Sequence, residues 1–227
     1  MKNKEEVLRR AHLFASLSDP DLQTLAEIVV PKSYRKNQVL IRQGEPGNIL
    51  FLLTSGSVKI SLLGSSGREI ILKFLYAHDI FGEMSLLDGK YRSATVTTLE
   101  PSRALIIYRD DFVRLIRKNP DFAMNMLADL NRRLRQATDQ IASLTFFDAY
   151  GRVAQVLLNL SEKQGRREGA WIRLTLNCSR QEMAALAGLS RETFTRVLHE
   201  FQARGYLNVK GKTIMIADEA LLKREIL

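Results

Sequence analysis

Cysteine is nearly absent. Cys178 is the only one in 227 residues, which excludes a disulfide within the chain and any zinc or iron–sulfur site built on four thiolates. The three histidines, His12, His78 and His199, lie far apart with no zinc-like spacing, so no metal site is expected. Long apolar runs are missing as well: no stretch approaches the roughly 20 residues that cross a bilayer. The opening residues, MKNKEEVLRRAHLF, lack the apolar core of a secretory signal. A soluble, cytoplasmic chain without a membrane partner is the expectation. Acidic residues are outnumbered, 25 against 34 Lys and Arg, giving a net charge of +9. That balance favours a polyanionic partner, although a solvated basic surface gives the same composition. The positions of the arginines have to decide. With 45% hydrophobic residues, the length suffices for two modest domains, each with its own core.

From about Tyr34 to Tyr108, short β-like runs alternate with turn signals. The runs are Val39–Ile41, Leu50–Leu53, Val58–Leu63, Glu69–Leu75 and Ala104–Tyr108, with breaks at Gly44–Gly47 (GEPG), Gly56 and Ser65–Gly67. Such strands suggest an antiparallel barrel or roll. Ahead of them, Asp19-Pro20-Asp21 predicts a short helix through Ile28, capped by Asp19 with Pro20 at its first position. Between Pro120 and Phe147 the period changes. Ala123, Leu127, Leu130, Leu134, Ala137, Ile141 and Leu144 alternate steps of four and three, a heptad seam suited to a coiled-coil dimer. A long helix packed on its own domain would show the same pattern. A further helix is expected from Ala149 to Lys163, then a loop over Gln164–Ala170 and a strand over Trp171–Leu176. Ser179-Arg-Gln-Glu182 is a capping box, Gly188 breaks a turn and Ser190 caps the next helix, which together predict a helix-turn-helix. Tyr206–Val209 and Thr213–Ile216, joined by Lys210-Gly211-Lys212, read as a hairpin with a basic tip, hence a winged helix.

The segment Phe81–Ala94, FGEMSLLDGKYRSA, carries the chemistry. Arg92 offers a fork of donors that suits a phosphate, and Ser93 with nearby backbone N–H groups can bind the same anion. Glu83 accepts only, which suits sugar hydroxyls. A phosphate at one end and a ribose at the other make a nucleotide pocket. Taken alone, a Glu and an Arg beside a turn are more often a surface ion pair.

The segment resembles the phosphate-binding cassette of cyclic-nucleotide-binding domains. Nearly the whole chain is similar to the Crp–Fnr family of transcription regulators, and within it to the cyclic-AMP receptors. The resemblance runs through IRQGEPGNILFLLTSGSVKI (Ile41–Ile60), GREIILKF (Gly67–Phe74), the cassette and RRL (Arg132–Leu134). It continues in LTFFDAYGRVAQVLLNL (Leu144–Leu160), SRQEMAALAGLSRETFTRVL (Ser179–Leu198) and GKTI (Gly211–Ile214). It implies an α+β fold in three parts: a cyclic-nucleotide-binding antiparallel β-roll (1–119), a long central dimerisation helix (120–147) and a winged helix-turn-helix that binds DNA (148–227). Ligand contacts would come from Gly82, Glu83, Met84, Arg92, Ser93, Ala94 and Thr138. The homodimer seam would use Leu127, Leu130, Leu134, Ala137, Ile141 and Leu144. Arg191, Glu192 and Arg196 would read double-stranded DNA. The base chemistry agrees: Arg pairs with guanine O6 and N7, and Glu accepts from the cytosine amino group. Ser179, Arg180, Ser190 and Lys212 would contact phosphates. The implied site is a palindrome of TGTGA-like half-sites, and the implied further partner is RNA polymerase, which contacts the loop matching Gln164–Ala170 in the family. No cofactor is implied beyond the effector, cAMP.

Two departures bear on that effector. Two adjacent hydroxyl residues meet the adenine in cyclic-AMP receptors, and here they match Ala137 and Thr138, so one hydroxyl survives. The connection from Glu83 to Arg92 is one residue shorter than in those receptors. These departures leave the base identity of the nucleotide open, with cGMP or cyclic di-GMP as alternatives; haem, a redox thiol and ligand-independent action are separate alternative signals. A phosphodiesterase is the enzymatic alternative. It would want a metal cluster or a positioned base beside the phosphate, and the cassette offers one carboxylate and no histidine beyond His78, read as a surface-loop residue.

Overall fold

The computed structural model describes residues 2–65, 67 and 69–226. The N-terminal part runs α1 (Lys2–Arg10), a 3-10 turn (His12–Phe14), α2 (Asp19–Ile28), β1 (Val30–Tyr34), β2 (Val39–Ile41), β3 (Ile49–Ser55), β4 (Ser57–Leu63), β5 (Glu69–Tyr76) and β6 (Ile80–Phe81). It continues through α3 (Glu83–Asp88), β7 (Thr95–Thr98), β8 (Ser102–Tyr108), α4 (Arg109–Lys118) and the long α5 (Pro120–Phe146). The C-terminal part comprises α6 (Ala149–Gln164), β9 (Arg166–Glu168), β10 (Trp171–Thr175), α7 (Arg180–Leu186), α8 (Arg191–Ala203), β11 (Leu207–Lys210), β12 (Thr213–Ile216) and α9 (Glu219–Arg224). Two compact units result: residues 1–68 with 72–135, and residues 69–71 with 136–227. The division falls inside α5, after Arg135.

Strands β1 to β8 form two four-stranded sheets, ordered β1-β8-β3-β6 and β2-β7-β4-β5. β3 explains why ILFLL is apolar without alternation. Leu50 and Leu52 point into a core shared with the helices, beside Phe14, Leu22, Phe112 and Phe122. Phe51 and Leu53 point the other way, into a second core with Val58, Phe81, Val96 and Ile106. Successive side chains leave opposite faces of a strand, so a strand buried on both faces must be apolar throughout. Phe51 stacks on Phe81 at 4.9 Å between ring centroids. β1 carries Pro31 and lies at a sheet edge, where a missing N–H costs no ladder bond.

In the second unit β11-β12-β10-β9 make an antiparallel sheet. Leu157, Met183, Phe194, Val197, Phe201, Ile214 and Ile216 are buried there. Phe194 and Phe201 root α8, and Phe201 stacks on Tyr206 at 5.6 Å.

Two expectations are corrected. Ser18, not Asp19, caps α2: its Oγ accepts from the Asp21 N–H at 3.3 Å, and Asp19 is already helical. The stretch Gln164–Ala170 is not wholly a loop, because Arg166–Glu168 pairs with β10 as an edge strand. Its side chains are all exposed, so it shows no apolar alternation to reveal it. The structure also adds α1, β1, β6, α3, β7, α4 and α9, which were not among the elements expected from the sequence.

Phe194→Ala is expected to cost the second unit about 3–5 kcal/mol. Urea unfolding followed by the fluorescence of Trp171, the only tryptophan and a residue of that unit, measures it. An unchanged midpoint would show that Phe194 does not anchor α8.

Candidate functional site

The first candidate site lies where β6 ends. Gly82 adopts a left-handed φ of 88° and turns the chain into α3, whose first residue is Glu83; Gly89, at φ 68°, ends that helix. Glu83 and Arg92 are 4% and 7% exposed, so they are not the surface ion pair that Glu and Arg beside a turn would most often make. The Arg92 guanidinium donates to the Gly82 carbonyl at 2.7 Å, the Ser85 hydroxyl at 2.9 Å and the Ile49 carbonyl at 2.7 Å. All three are neutral oxygens. Burial lowers the pKa of Arg92 and the Glu83 charge opposes that shift; arginine stays protonated regardless.

Residues 44–47 hold Arg92 from the other side. The Arg92 N–H donates to the Glu45 carbonyl and the Gly44 N–H to the Arg92 carbonyl, each at 2.9 Å. Gly47 lies against the guanidinium: a Cβ there would fall 2.0 Å from Nε. The GEPG run thus serves as more than a turn, and any side chain at Gly47 must displace Arg92.

Glu83 is held by α5. Its Oε1 accepts from Arg133 Nη1 at 2.7 Å, while Arg133 Nε donates to Asp129 Oδ2 at 2.7 Å and Nη2 to the Ile80 carbonyl at 3.1 Å. Arg132 also pairs with Asp129. Burial alone would raise the pKa of Asp129, but Arg133 and Arg132 outweigh it and hold the carboxyl below its usual range. The sequence reading placed Arg133 among the polar positions of the helix. The spacing of Asp129 and Arg133 signals an i,i+4 pair, but nothing in the sequence links Arg133 to Glu83. Of the other ligand residues expected from sequence, Met84 and Ser93 are exposed and 3.6 Å apart (Sδ to Oγ), and Ala94 is half-buried. Thr138 is exposed on α5 within the second unit. His78 is half-buried, with φ 76° and its Nδ1 buried without a hydrogen-bond partner, which differs from a surface-loop residue.

The second candidate site is the outer face of α8. The capping box at Ser179 and Glu182 is formed, Gly188 turns with φ 66°, and Ser190 Oγ accepts from the Thr193 N–H at 3.1 Å to start α8. Phe194, Val197, Leu198 and Phe201 are buried on one side. Arg191, Glu192 and Arg196 are exposed on the other, two at the first turn and one a turn later. Backbone N–H at the helix start, then Ser190, hold the Glu192 carboxyl below its usual range, so it remains an acceptor. Arg180 is half-buried and donates to the Gly211 carbonyl at 3.4 Å, tying α7 to the hairpin tip where Lys212 is exposed. Burial, with the Glu182 charge behind it, pushes the Cys178 thiol up to about 12. A buried, protonated thiol is a poor redox sensor.

The face of α5 carrying Phe122, Met126 and Asp129 is buried in the first unit. The seam residues Leu127, Leu134, Ala137, Ile141 and Leu144 are exposed, whereas Leu130 is partly buried against the first unit's core. Among the described residues no group of three or more His, Cys, Asp or Glu is placed to hold a metal ion, and no helix is long and apolar enough to cross a membrane.

Residues 31–119 match the cyclic nucleotide-binding domain and residues 151–225 the Crp-like helix-turn-helix domain. A CRP-like cAMP-activated global transcriptional regulator of Mycobacterium tuberculosis is 34% identical over 220 residues, covering 97% of this chain and 98% of that one. The cyclic AMP receptor protein of Thermus thermophilus is 35% identical over 216 residues, 95% and 97% of the two chains. Among solved structures, the c-di-GMP responsive global regulator CLP of Xanthomonas campestris superposes with a TM-score of 0.76 at 26% identity, over 88% of this chain and 100% of that one. These regulators are not enzymes, which removes the phosphodiesterase alternative. With almost its full length shared with such proteins and both of its domain types matched, the chain belongs to the CRP/FNR family of DNA-binding transcription regulators.

Proposed function

We propose that this chain is a cytoplasmic homodimeric regulator that binds cAMP at the Arg92–Glu83 pocket and, so loaded, reads a palindromic DNA site. The observation that carries the ligand part is the buried Arg92 guanidinium, whose hydrogen bonds go to neutral oxygens. A cation in that setting favours a monoanionic diester phosphate, and a charge-assisted bond there is about twice as strong as a neutral one. The exposed Ser93 hydroxyl and the backbone from Gly82 to Met84 and at Ala94 add neutral contacts to the ligand. Glu83, fixed by Arg133, presents its second oxygen to the ribose 2′-hydroxyl. Thr138 supplies one hydroxyl to the base, and Ala137 supplies none. That single loss weakens the contact to adenine, and cyclic di-GMP is the second reading, since a similar regulator is named c-di-GMP responsive.

The domains follow the order 1–119, 120–147 and 148–227, with the central helix joining two protomers. The exposed seam supports this: Leu134 and Ile141 are each 66% exposed and lie in one row with exposed Leu127 and Leu144, an apolar strip of the kind that a partner covers. Two-fold symmetry then sets the two α8 helices one duplex turn apart on TGTGA-like half-sites. Arg191 and Arg196 pair with guanines, Glu192 accepts from a cytosine amino group, and Ser179, Arg180, Ser190 and Lys212 approach phosphates. RNA polymerase is the partner through which such binding controls transcription.

Arg92→Leu should weaken cAMP binding more than tenfold, an expected loss of about 2–3 kcal/mol, in calorimetric titrations with cAMP, cGMP and cyclic di-GMP. Gly47→Ala should act in the same direction by displacing Arg92, with the fold retained. Parent-like affinity in Arg92→Leu would remove the pocket from the ligand.

Leu134→Glu combined with Ile141→Glu puts carboxylates against their symmetry mates. Analytical ultracentrifugation at micromolar concentration should then report a monomer, and a stable dimer would move the interface off α5.

Selection from random DNA in the presence of ligand should return a symmetric TGTGA-like motif. Glu192→Ala should relax one base pair by about 1–3 kcal/mol. Lys212→Ala should weaken all sequences alike and lower the salt slope by about one unit. A motif without two-fold symmetry would refute the assignment.

A further inference from the structure

Arg196 is not a free side chain on the face of α8. Its Nη1 lies 3.7 Å from Glu200 Oε1, one helical turn toward the C-terminus. Glu200 is itself fixed from outside the helix. Its other oxygen, Oε2, accepts a hydrogen bond from the Tyr150 hydroxyl of α6, and Arg204 Nη2 approaches the same oxygen at 4.0 Å. Arg204 is in turn anchored, with Nη1 3.1 Å from Glu225 Oε1 and its guanidinium 5.4 Å above the Tyr150 ring. The order of attachment is therefore Glu225, just after α9, to Arg204; Arg204 and Tyr150 of α6 to Glu200; and Glu200 to Arg196. One carboxylate oxygen is engaged by the domain body and the other faces the reading arginine.

We propose that Glu200, fixed by Tyr150, is a specificity-determining positioning residue for DNA reading through Arg196. This rests on the reading of Arg196 as a base-contacting residue. A guanidinium has five donors, and a guanine edge takes two in parallel. A carboxylate 3.7 Å behind the guanidinium attracts it as an ion pair and narrows the orientations in which the fork can point. The same carboxylate places a negative charge beside the DNA-facing surface, which opposes attraction to phosphates of any sequence. Glu200 thus trades nonspecific affinity for discrimination. An exposed pair of this kind changes an equilibrium by roughly two- to fivefold.

The test compares Glu200→Gln, Tyr150→Phe and Arg196→Ala in the full-length chain, loaded with whichever of cAMP, cGMP or cyclic di-GMP the parent binds. Binding is measured to the selected palindrome, to its single-base variants and to random duplex. Glu200→Gln should lose about two- to fivefold in discrimination at the one base pair that Arg196→Ala also affects, leave the other positions unchanged and bind random duplex more tightly. Tyr150→Phe, which leaves Arg196 and Glu200 chemically intact, should shift the same base pair in the same direction by less. A purely structural role would instead lower the unfolding midpoint and weaken every sequence alike, and that outcome overturns the proposal. If Arg196→Ala alters one base pair and Glu200→Gln alters none, the positioning role is wrong while the reading role stands. If Arg196→Ala alters no base pair, both fall.

Discussion

The two-sided burial of β3 is the constraint on which the first unit depends. A strand with Leu50 and Leu52 in one core and Phe51 and Leu53 in the other cannot slip by one residue without exchanging its cores. Its register fixes where the Ile49 carbonyl stands, and that carbonyl receives Arg92. Its pairing with β6, Phe51 opposite Phe81 and Leu52 opposite Ile80, fixes where the strand ends and Gly82 begins. The cassette is thus positioned by the backbone register of β3 and β6.

Polar contacts then divide the buried charges. Arg92 is held by neutral oxygens and Glu83 by Arg133, so the two charged groups of the pocket are attached to different parts of the unit. Arg92 is fastened to β3, to the start of α3 and to residues 44–47, while the Glu83 carboxylate is fastened to the helix α5. An anion drawn to the first and a hydroxyl drawn to the second would bridge a sheet and a helix of one unit. The Asp129 carboxyl keeps Arg133 in place. Because its pKa is depressed in the folded chain, the stability it contributes is present above the unfolded carboxyl pKa and is lost as pH falls through the folded one.

Much of this was legible in the sequence because the signals were local. Helix caps at Ser179 and Ser190, the breaker at Gly188 and the heptad spacing in α5 each depend on residues within a few positions of one another, and each element formed where expected. Glu83 and Arg92 were legible as chemistry, though not as buried groups. What escaped depended on tertiary proximity. Gly47 looks like any turn glycine until the guanidinium beside it is seen, and Arg133 looks like a solvated helix residue until Glu83, 50 positions earlier, is found against it. The edge strand β9 escaped for the opposite reason: its three residues are all charged and exposed, so burial left no mark on them. The Ser18 cap went unnoticed because Asp19 beside it is also a good capping residue type, and what distinguishes Ser18 is its extended backbone and the bond its hydroxyl accepts from the Asp21 N–H.

The burial of Cys178 bears on how the protein can be studied. A thiol held at about 12 is almost entirely protonated at neutral pH, and the chain has no other cysteine. Toward maleimides and disulfide reagents the native protein should behave as if it were cysteine-free. A cysteine introduced on an exposed residue, such as Lys212 at the hairpin tip, would be the single reactive position without any change to the interior. One spin label or fluorophore per chain then becomes available, and in an assembly of two chains the label-to-label distance would report the separation of the two hairpins directly.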